Sequence, residues 1–170
     1  MRSKKFIGIV AFLMLYAEIV GLIGIAAYCD YQQATIQARQ QEKKAPGWGC
    51  SIHCMDKRCQ KPIPSHIVNK YNVEVDVVTD AGPVKLVVDN DAAAMVRFKR
   101  MIVVSAHHHK AKLLFISAHA ECAGNPVSKE AQIEHLRQTK KIVQSWPEAK
   151  GFEIVLLWLE KDFKTVVEID

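Results

Sequence analysis

The chain has no long run of basic residues and no basic stretch interleaved with aromatic side chains, although its formal net charge is +5. Nucleic-acid binding usually needs such a concentrated positive surface, so the charge pattern argues against that class of partner. Internal repeats and low-complexity tracts are also missing, and a hydrophobic share of 49% predicts a buried core rather than disorder. With 170 residues, we expect one core-bearing domain and an appendage.

The segment from Phe6 to Tyr28 is almost free of charge, since its only charged residue is Glu18. About 20 helical residues are enough to cross the hydrocarbon core of a bilayer, whereas the apolar part of a signal peptide has about 7–15. A clean A-x-A cleavage site is also lacking after this stretch. We therefore predict a single-pass membrane anchor over residues 1–29.

The flanks of this segment predict its orientation and the start of the next domain. Arg2, Lys4 and Lys5 crowd the amino-terminal side, whereas acidic residues dilute the basic ones on the other side, which favours a non-cytoplasmic location for the rest of the chain. Residues 30–49 are rich in glutamine and end near Pro46 and Gly47, which do not continue a helix easily. We interpret them as a juxtamembrane linker that precedes a domain over residues 50–170.

After the linker, apolar runs typical of strands alternate with segments of helical length and periodicity. Runs that are apolar on both sides favour a parallel sheet covered by helices on both faces. The alternation predicts an α/β, Rossmann-like three-layer domain with a central, mainly parallel sheet, whose sites lie beyond the carboxyl ends of the strands. The predicted strands are Cys50–Met55, Val73–Val78, Leu113–Ala118, Phe152–Leu159 and Lys164–Ile169, and the predicted helices are Ser65–Tyr71, Ala92–His109 and Lys129–Trp146.

Two short motifs fall where predicted strands end. One runs from Cys54 through Asp56 to Arg58, and the other from His119 to Cys122. Two thiolates and one imidazole form a ligand set suited to Zn²⁺, and three protein ligands with one exchangeable position are typical of a catalytic site. The three ligands meet if the two strands are neighbours. An arginine two residues after an aspartate can pair with it and keep it ionised.

The order C-x-D-x-R and then H-x-x-C resembles the paired motif of the β-class carbonic anhydrases. The similarity extends from about Ser51 to Leu159, and the segment Cys122–Pro126 is most similar to a short, divergent branch of that family. The resemblance implies that Cys54, His119 and Cys122 bind zinc and that Asp56 and Arg58 form the family's dyad. In that dyad, Asp56 either accepts a hydrogen bond from zinc-bound hydroxide or occupies the fourth zinc position itself.

The resemblance also implies an activity and an assembly. It predicts a zinc-dependent carbonate dehydratase, a lyase that hydrates CO₂ reversibly to bicarbonate by zinc-bound hydroxide, and it predicts a homodimer. The chain departs from the family's pattern at Lys57, where a small residue is usual, and at Ala123, which interrupts the usual Cys-Gly-Gly. Zinc binding survives these changes better than hydration does.

Two alternatives use the same residues differently. In the first, a non-catalytic zinc-binding domain serves binding or sensing, and Asp56 closes the fourth position of the metal. In the second, a thiol redox module uses Cys54 and Cys59, although their spacing is wider than that of the usual redox pair. If the domain is exported, disulfide pairing among Cys50, Cys54 and Cys59 is also open.

Overall fold

The computed structural model describes residues 28, 30–33 and 47–170. The chain divides between Ala45 and Pro46 into two units. In the first unit, residues 28 and 30–33 are helical, and the second unit carries the fold. The predicted membrane helix over residues 6–28 lies outside the described residues apart from Tyr28, and it stays a prediction. Within the described ranges, no helix combines the length and the apolar character needed to cross a bilayer.

Residues 47–170 contain five strands and four α-helices, which alternate except that two helices follow β2 and none separates β4 from β5. The carboxyl-terminal half also contains one short 3₁₀ helix, Pro147–Ala149. In chain order, the elements are β1 (Gly47–Cys54), α1 (Pro62–Tyr71), β2 (Val73–Asp80), α2 (Pro83–Val88), α3 (Ala92–His108), β3 (Leu113–His119), α4 (Lys129–Gln144), β4 (Glu153–Leu159) and β5 (Val166–Ile169).

The strands form one sheet in the order β2-β1-β3-β4-β5. The first four are parallel, and β5 runs antiparallel to β4. This confirms the predicted α/β class and the mainly parallel sheet. The strand β2 lies at one edge, where the charged residues Glu74 and Asp76 reach solvent more easily than in the centre. The pairing of β1 with β3 brings the ends of these two strands, and therefore both motifs, to the same side of the sheet.

Helices cover both faces of the sheet, as the three-layer prediction requires. One face packs against α2, α3 and α4, and the opposite face packs against α1. Each face buries a separate apolar cluster, which is the main stabilising contribution to such a fold. The helix residues buried on the first face are Val84, Val87, Ala94, Phe98, Ile102, Leu136 and Val143, and those on the second are Ile63 and Ile67.

Side-chain caps define where two of the helices begin. The Asp91 carboxylate accepts a hydrogen bond from the Ala94 N–H at 2.7 Å, and the Ser128 hydroxyl oxygen accepts one from the Ala131 N–H at 3.3 Å. The helix α1 begins at Pro62, earlier than predicted, because proline in a first helical turn loses no intrahelical hydrogen bond.

The helix α2 was not predicted. It spans only Pro83–Val88 and contains three valines, which have low helix propensity. Gly82 at its start has a φ of 59°, a left-handed conformation that glycine adopts at little cost. Burial of Val84 and Val87 against the sheet therefore stabilises a helix that local propensity does not favour.

Candidate metal centre

The three predicted metal ligands lie together at the carboxyl edge of the sheet. Cys54 is the last residue of β1, and His119 is the last residue of the neighbouring β3. Cys122 follows in the next turn, which the Asn125 N–H closes by donating to the Cys122 carbonyl oxygen at 3.1 Å. The sulfur atoms and a ring nitrogen of these three buried residues lie within 4.8 Å of one another. The structure therefore brings together the cluster that the sequence predicted.

The separation of the two sulfur atoms suits a tetrahedral zinc ion. The Sγ atoms of Cys54 and Cys122 are 3.8 Å apart. Two thiolates that each lie about 2.3 Å from a tetrahedral zinc would be about 3.8 Å apart. Two buried negative charges at this separation also repel each other strongly unless a cation lies between them. The cysteine pair therefore fits a zinc ion by distance and by charge.

The ring of His119 is oriented as a ligand. Its Nδ1 lies 2.8 Å from the carbonyl oxygen of Ala120 and donates its hydrogen to it. This bond assigns the lone pair to Nε2, which is buried and has no hydrogen-bond partner among the described residues. A histidine that binds metal typically donates its other ring N–H to such an acceptor, which fixes both tautomer and orientation. The unpaired Nε2 is thus available for a cation.

Hydrogen bonds favour the thiolate form of Cys54. The Cys122 thiol donates to the Cys54 sulfur, which lowers the pKa of Cys54, and the backbone N–H groups of Asp56 and Gly82 lower it further. The same thiol–thiolate bond, together with burial, raises the pKa of Cys122, although the N–H groups of Gly124 and Asn125 oppose that rise. A metal that replaces the shared proton would ionise both cysteines, and these backbone donors are already in place to stabilise the charge.

Two glycines let these backbone donors approach the cysteines. A Cβ atom on Gly82 would lie 2.5 Å from the carbonyl carbon of Gly124, and one on Gly124 would lie 2.5 Å from that of Ala81. Both distances are far shorter than any contact that backbone atoms tolerate, so neither position accepts a side chain without movement of the chain. The turn after β2 and the turn that carries Cys122 therefore pack backbone against backbone, and this close packing holds the cysteine donors in position.

Asp56 and Arg58 form a pair beside the cluster. The Arg58 Nε atom lies 3.1 Å from each carboxylate oxygen of Asp56, and Nη2 lies 2.7 Å from Oδ2. The hydrogen bonds from Arg58 hold the pKa of Asp56 at about 2, so this carboxylate is ionised at neutral pH. Among the described residues, the cluster whose ligand atoms lie within 4.8 Å of one another contains Cys54, His119 and Cys122 but not Asp56. Its carboxylate faces Arg58 instead.

Three further residues around Arg58 were not predicted. Glu121 accepts from Arg58 Nη1 at 3.3 Å, and the ring of Phe163 stacks on the guanidinium with its centroid 4.0 Å from Cζ. Lys161 in turn pairs with Glu121 at 3.2 Å. Phe163 and Lys161 lie about a hundred residues after Arg58, in a turn that carries no motif. Only the fold brings them together, and no pattern in the sequence indicates the contact.

The remaining cysteines do not join the cluster. Cys50, Cys54, Cys59 and Cys122 are all free thiols, so no disulfide forms among these described cysteines. Burial raises the pKa of Cys59 to about 12, which keeps its thiol protonated and unreactive at neutral pH. The Cys54 sulfur contacts that of Cys122, at 3.8 Å, and no disulfide joins it to Cys59, the partner that the redox alternative requires. These findings argue against the thiol redox interpretation.

A narrow cavity lies against the inner side of the cluster. Its volume is about 10 Å³, close to the smallest that admits a water molecule. The three cluster residues line it together with the buried amides of Asn125 and Gln132. Asp56 and Arg58 do not line this cavity, and their side chains are 22% and 35% exposed. The dyad of Asp56 and Arg58 is therefore more accessible to solvent than the three buried residues of the cluster.

The fold and this cluster define an α/β protein of the β-carbonic-anhydrase type with a Cys-His-Cys candidate metal centre. The chain is similar in structure to a carbonic anhydrase from Streptococcus mutans, with a TM-score of 0.53 and 14% identity over 84% of this chain and 97% of that one. A tetrameric β-carbonic anhydrase from the ascomycete Sordaria macrospora gives a TM-score of 0.51 and 14% identity over 92% of this chain and 96% of that one. At this identity, the likeness establishes the fold.

The family follows from the sequence of the same domain. Residues 45–169 match the family described as "Putative carbonic anhydrase", so the chain belongs to that family, a divergent group of β-carbonic anhydrase type. This confirms the resemblance identified from the two motifs. No curated protein matches the chain significantly.

Proposed function

We propose that this chain is a zinc-dependent carbonic anhydrase that hydrates CO₂ reversibly to bicarbonate, with Cys54, His119 and Cys122 as the zinc ligands. The observation that carries the proposal is the convergence of two sulfurs and an unpaired imidazole nitrogen within 4.8 Å, beside an ion pair of aspartate and arginine. Bound zinc would supply a Lewis acid that makes water nucleophilic near neutral pH. Membership of the carbonic anhydrase family supports this choice of reaction.

The protein's own groups would orient the reactants. Asp56 is ionised, so it can accept a hydrogen bond but cannot donate one. Arg58 holds both of its carboxylate oxygens, which fixes the direction of the remaining lone pairs. We assign Asp56 as the acceptor that orients the attacking water, and Arg58 as the residue that holds Asp56 away from the metal position.

CO₂ would enter from the side of Asp56 and Arg58. The cavity beside the cluster, at about 10 Å³, has room for about one water molecule. The dyad side chains are partly exposed, so solvent reaches Asp56 and Arg58. Reaction on this side also places the substrate next to the only ionised carboxylate that we assign to catalysis.

The small volume of the cavity, about 10 Å³, leaves little room for a substrate beside the three ligands and therefore favours a second candidate. This candidate is a non-catalytic zinc-binding domain in which Asp56 closes the fourth position of the metal. Two measurements on the full chain distinguish these functions, namely the zinc content and the rate of CO₂ hydration. We expect one zinc per chain and hydration that stops when a chelator removes the metal. Stoichiometric zinc without hydration at neutral or alkaline pH would instead support the binding domain, and a chain without zinc would contradict both.

We also propose a location and an assembly. Residues 1–29 would anchor the chain in a membrane as a single-pass protein, with residues 50–170 on the non-cytoplasmic side and residues 30–49 as linker. If this orientation is correct, protease added to intact cells should digest the carboxyl-terminal domain. Survival of the domain would indicate the opposite orientation.

The zinc domain would pair with a second copy of the chain, since the family resemblance implies a dimer and the Sordaria relative is described as tetrameric.

A further inference from the structure

A tightly bonded turn joins β4 to β5 and faces the dyad. The Asp162 carboxylate accepts hydrogen bonds from the N–H groups of Lys164 and Thr165, both at 2.9 Å, and from the Thr165 hydroxyl at 2.6 Å. The backbone N–H of Phe163 donates to the Glu160 carbonyl oxygen at 2.9 Å. These bonds hold the turn in a single conformation. We call residues 161–163 the 161–163 turn.

This turn holds Phe163 in an unfavourable backbone conformation. Its φ is 53°, in the left-handed region that a bulky residue rarely adopts. Such a conformation costs free energy and persists only where the surrounding structure imposes it, often at functional sites. Here it places the aromatic ring over Arg58, with 4.0 Å between ring centroid and guanidinium carbon, and 6.4 Å from the ring of His119.

The ring adds a second restraint to the bidentate ion pair that joins Arg58 to Asp56. The Arg58 side chain is 35% exposed, so water screens this pair more than it would screen a buried one. A guanidinium stacked on an aromatic face loses that freedom, since the ring restricts its plane. The Nε and Nη2 hydrogens then point toward Asp56.

The same turn also supplies a cation to Glu121, the second carboxylate that pairs with Arg58. The Glu121 carboxylate lies 3.3 Å from Arg58 Nη1 and would attract the guanidinium away from Asp56. Lys161 pairs with the other oxygen of Glu121 at 3.2 Å and lowers the pKa of that carboxyl. The turn therefore supplies a cation to Glu121 and a ring to Arg58 from residues two positions apart.

We propose that Phe163 is a positioning residue that holds Arg58 in the orientation in which it fixes Asp56. This inference rests on the proposed function of the dyad. Without the ring, the guanidinium turns toward Glu121 and solvent, and Asp56 becomes free to move toward the metal ligands. In this role Phe163 acts through Arg58 and does not contact the reacting atoms, and the zinc content reports separately on its neighbouring ring contact with His119.

The test uses Phe163→Gly in the full chain. Glycine adopts a φ of 53° easily, so the turn and the fold should be retained while the ring is removed. We expect the Nε–H signal of Arg58 in the NMR spectrum to exchange faster with solvent, and kcat for CO₂ hydration to fall about three- to tenfold. Zinc content and KM should stay unchanged. Phe163→Tyr keeps the stacking face and should retain both the signal and the rate.

Phe152 provides the matched control, because it is half-buried just before the opposite end of β4. Phe152→Gly should leave the Arg58 signal as in the wild type. If Phe163→Gly leaves that signal unchanged, or if Phe163→Tyr loses it as fully as glycine does, the inference is overturned. If the wild-type chain does not hydrate CO₂, the proposed function fails, whereas the Arg58 signal still tests the positioning role because it needs no turnover.

Discussion

Replacement of Cys122 with alanine is expected to remove zinc from the protein. Cys122 supplies one of three ligand atoms in a buried cluster, and its sulfur lies 3.8 Å from that of Cys54. Structural zinc sites bind with roughly 10–16 kcal/mol shared among their ligands, so the loss of one should weaken affinity about 10²- to 10³-fold. Competition with a chelator of known affinity measures the change, and the metal content after dialysis should fall to nearly zero.

The control for this variant is Cys59→Ala. Cys59 is as buried as Cys122, but its sulfur does not belong to the cluster, and its neighbours are mainly apolar. Its replacement should cost about 1 kcal/mol in stability through a small cavity and leave one zinc per chain. Circular dichroism of both variants checks that the fold persists. Equal zinc affinity in Cys122→Ala and in the wild type would exclude Cys122 as a ligand.

Replacement of Asp56 with asparagine is expected to lower CO₂ hydration about 10²-fold or more while zinc is retained. The carboxylate is ionised because hydrogen bonds from Arg58 hold its pKa at about 2. Asparagine has the same shape but no charge, and one of its two terminal groups donates rather than accepts. The orienting acceptor would therefore be lost. Stopped-flow measurement of kcat/KM, with zinc content determined on the same sample, checks both parts.

The control for Asp56→Asn is Glu134→Gln, an exposed carboxylate on α4 that faces no ligand. It should change neither rate nor zinc content, because a solvated surface charge contributes little. The zinc content of Asp56→Asn also separates the two candidate functions. Loss of zinc along with activity would indicate that Asp56 is a ligand, as the binding-domain alternative requires. An unchanged rate would remove Asp56 from the mechanism.

Much of the fold could be predicted from local patterns. The nearly continuous apolar runs of β3 and β4 indicated strands of a parallel sheet that is covered on both faces. Each of these signals lies within one segment of chain. The short helix α2 was missed because its valines favour a strand locally, and only packing of Val84 and Val87 against the sheet stabilises the helix.

The candidate site, like the fold, could be predicted from local patterns only in part. Cys54, His119 and Cys122 could be named from two motifs because each motif is contiguous and carries a distinctive set of metal-binding groups. The pairing of Asp56 with Arg58 was likewise expected, since the two residues are separated by one position. Neither motif contains information about Phe163, Lys161 or the contact between Gly82 and Gly124, which join distant parts of the chain.

The sequence by itself determined the layered α/β architecture and the chemical character of the site, because apolar periodicity and the donor types of cysteine and histidine are properties of short segments. The tertiary structure alone decided that β1 and β3 are neighbours, that two sulfurs lie 3.8 Å apart, and that a strained phenylalanine stacks on Arg58. Such distances depend on how the strands order themselves when both faces of the sheet are buried at once. That order is a property of the whole core, and no single segment encodes it.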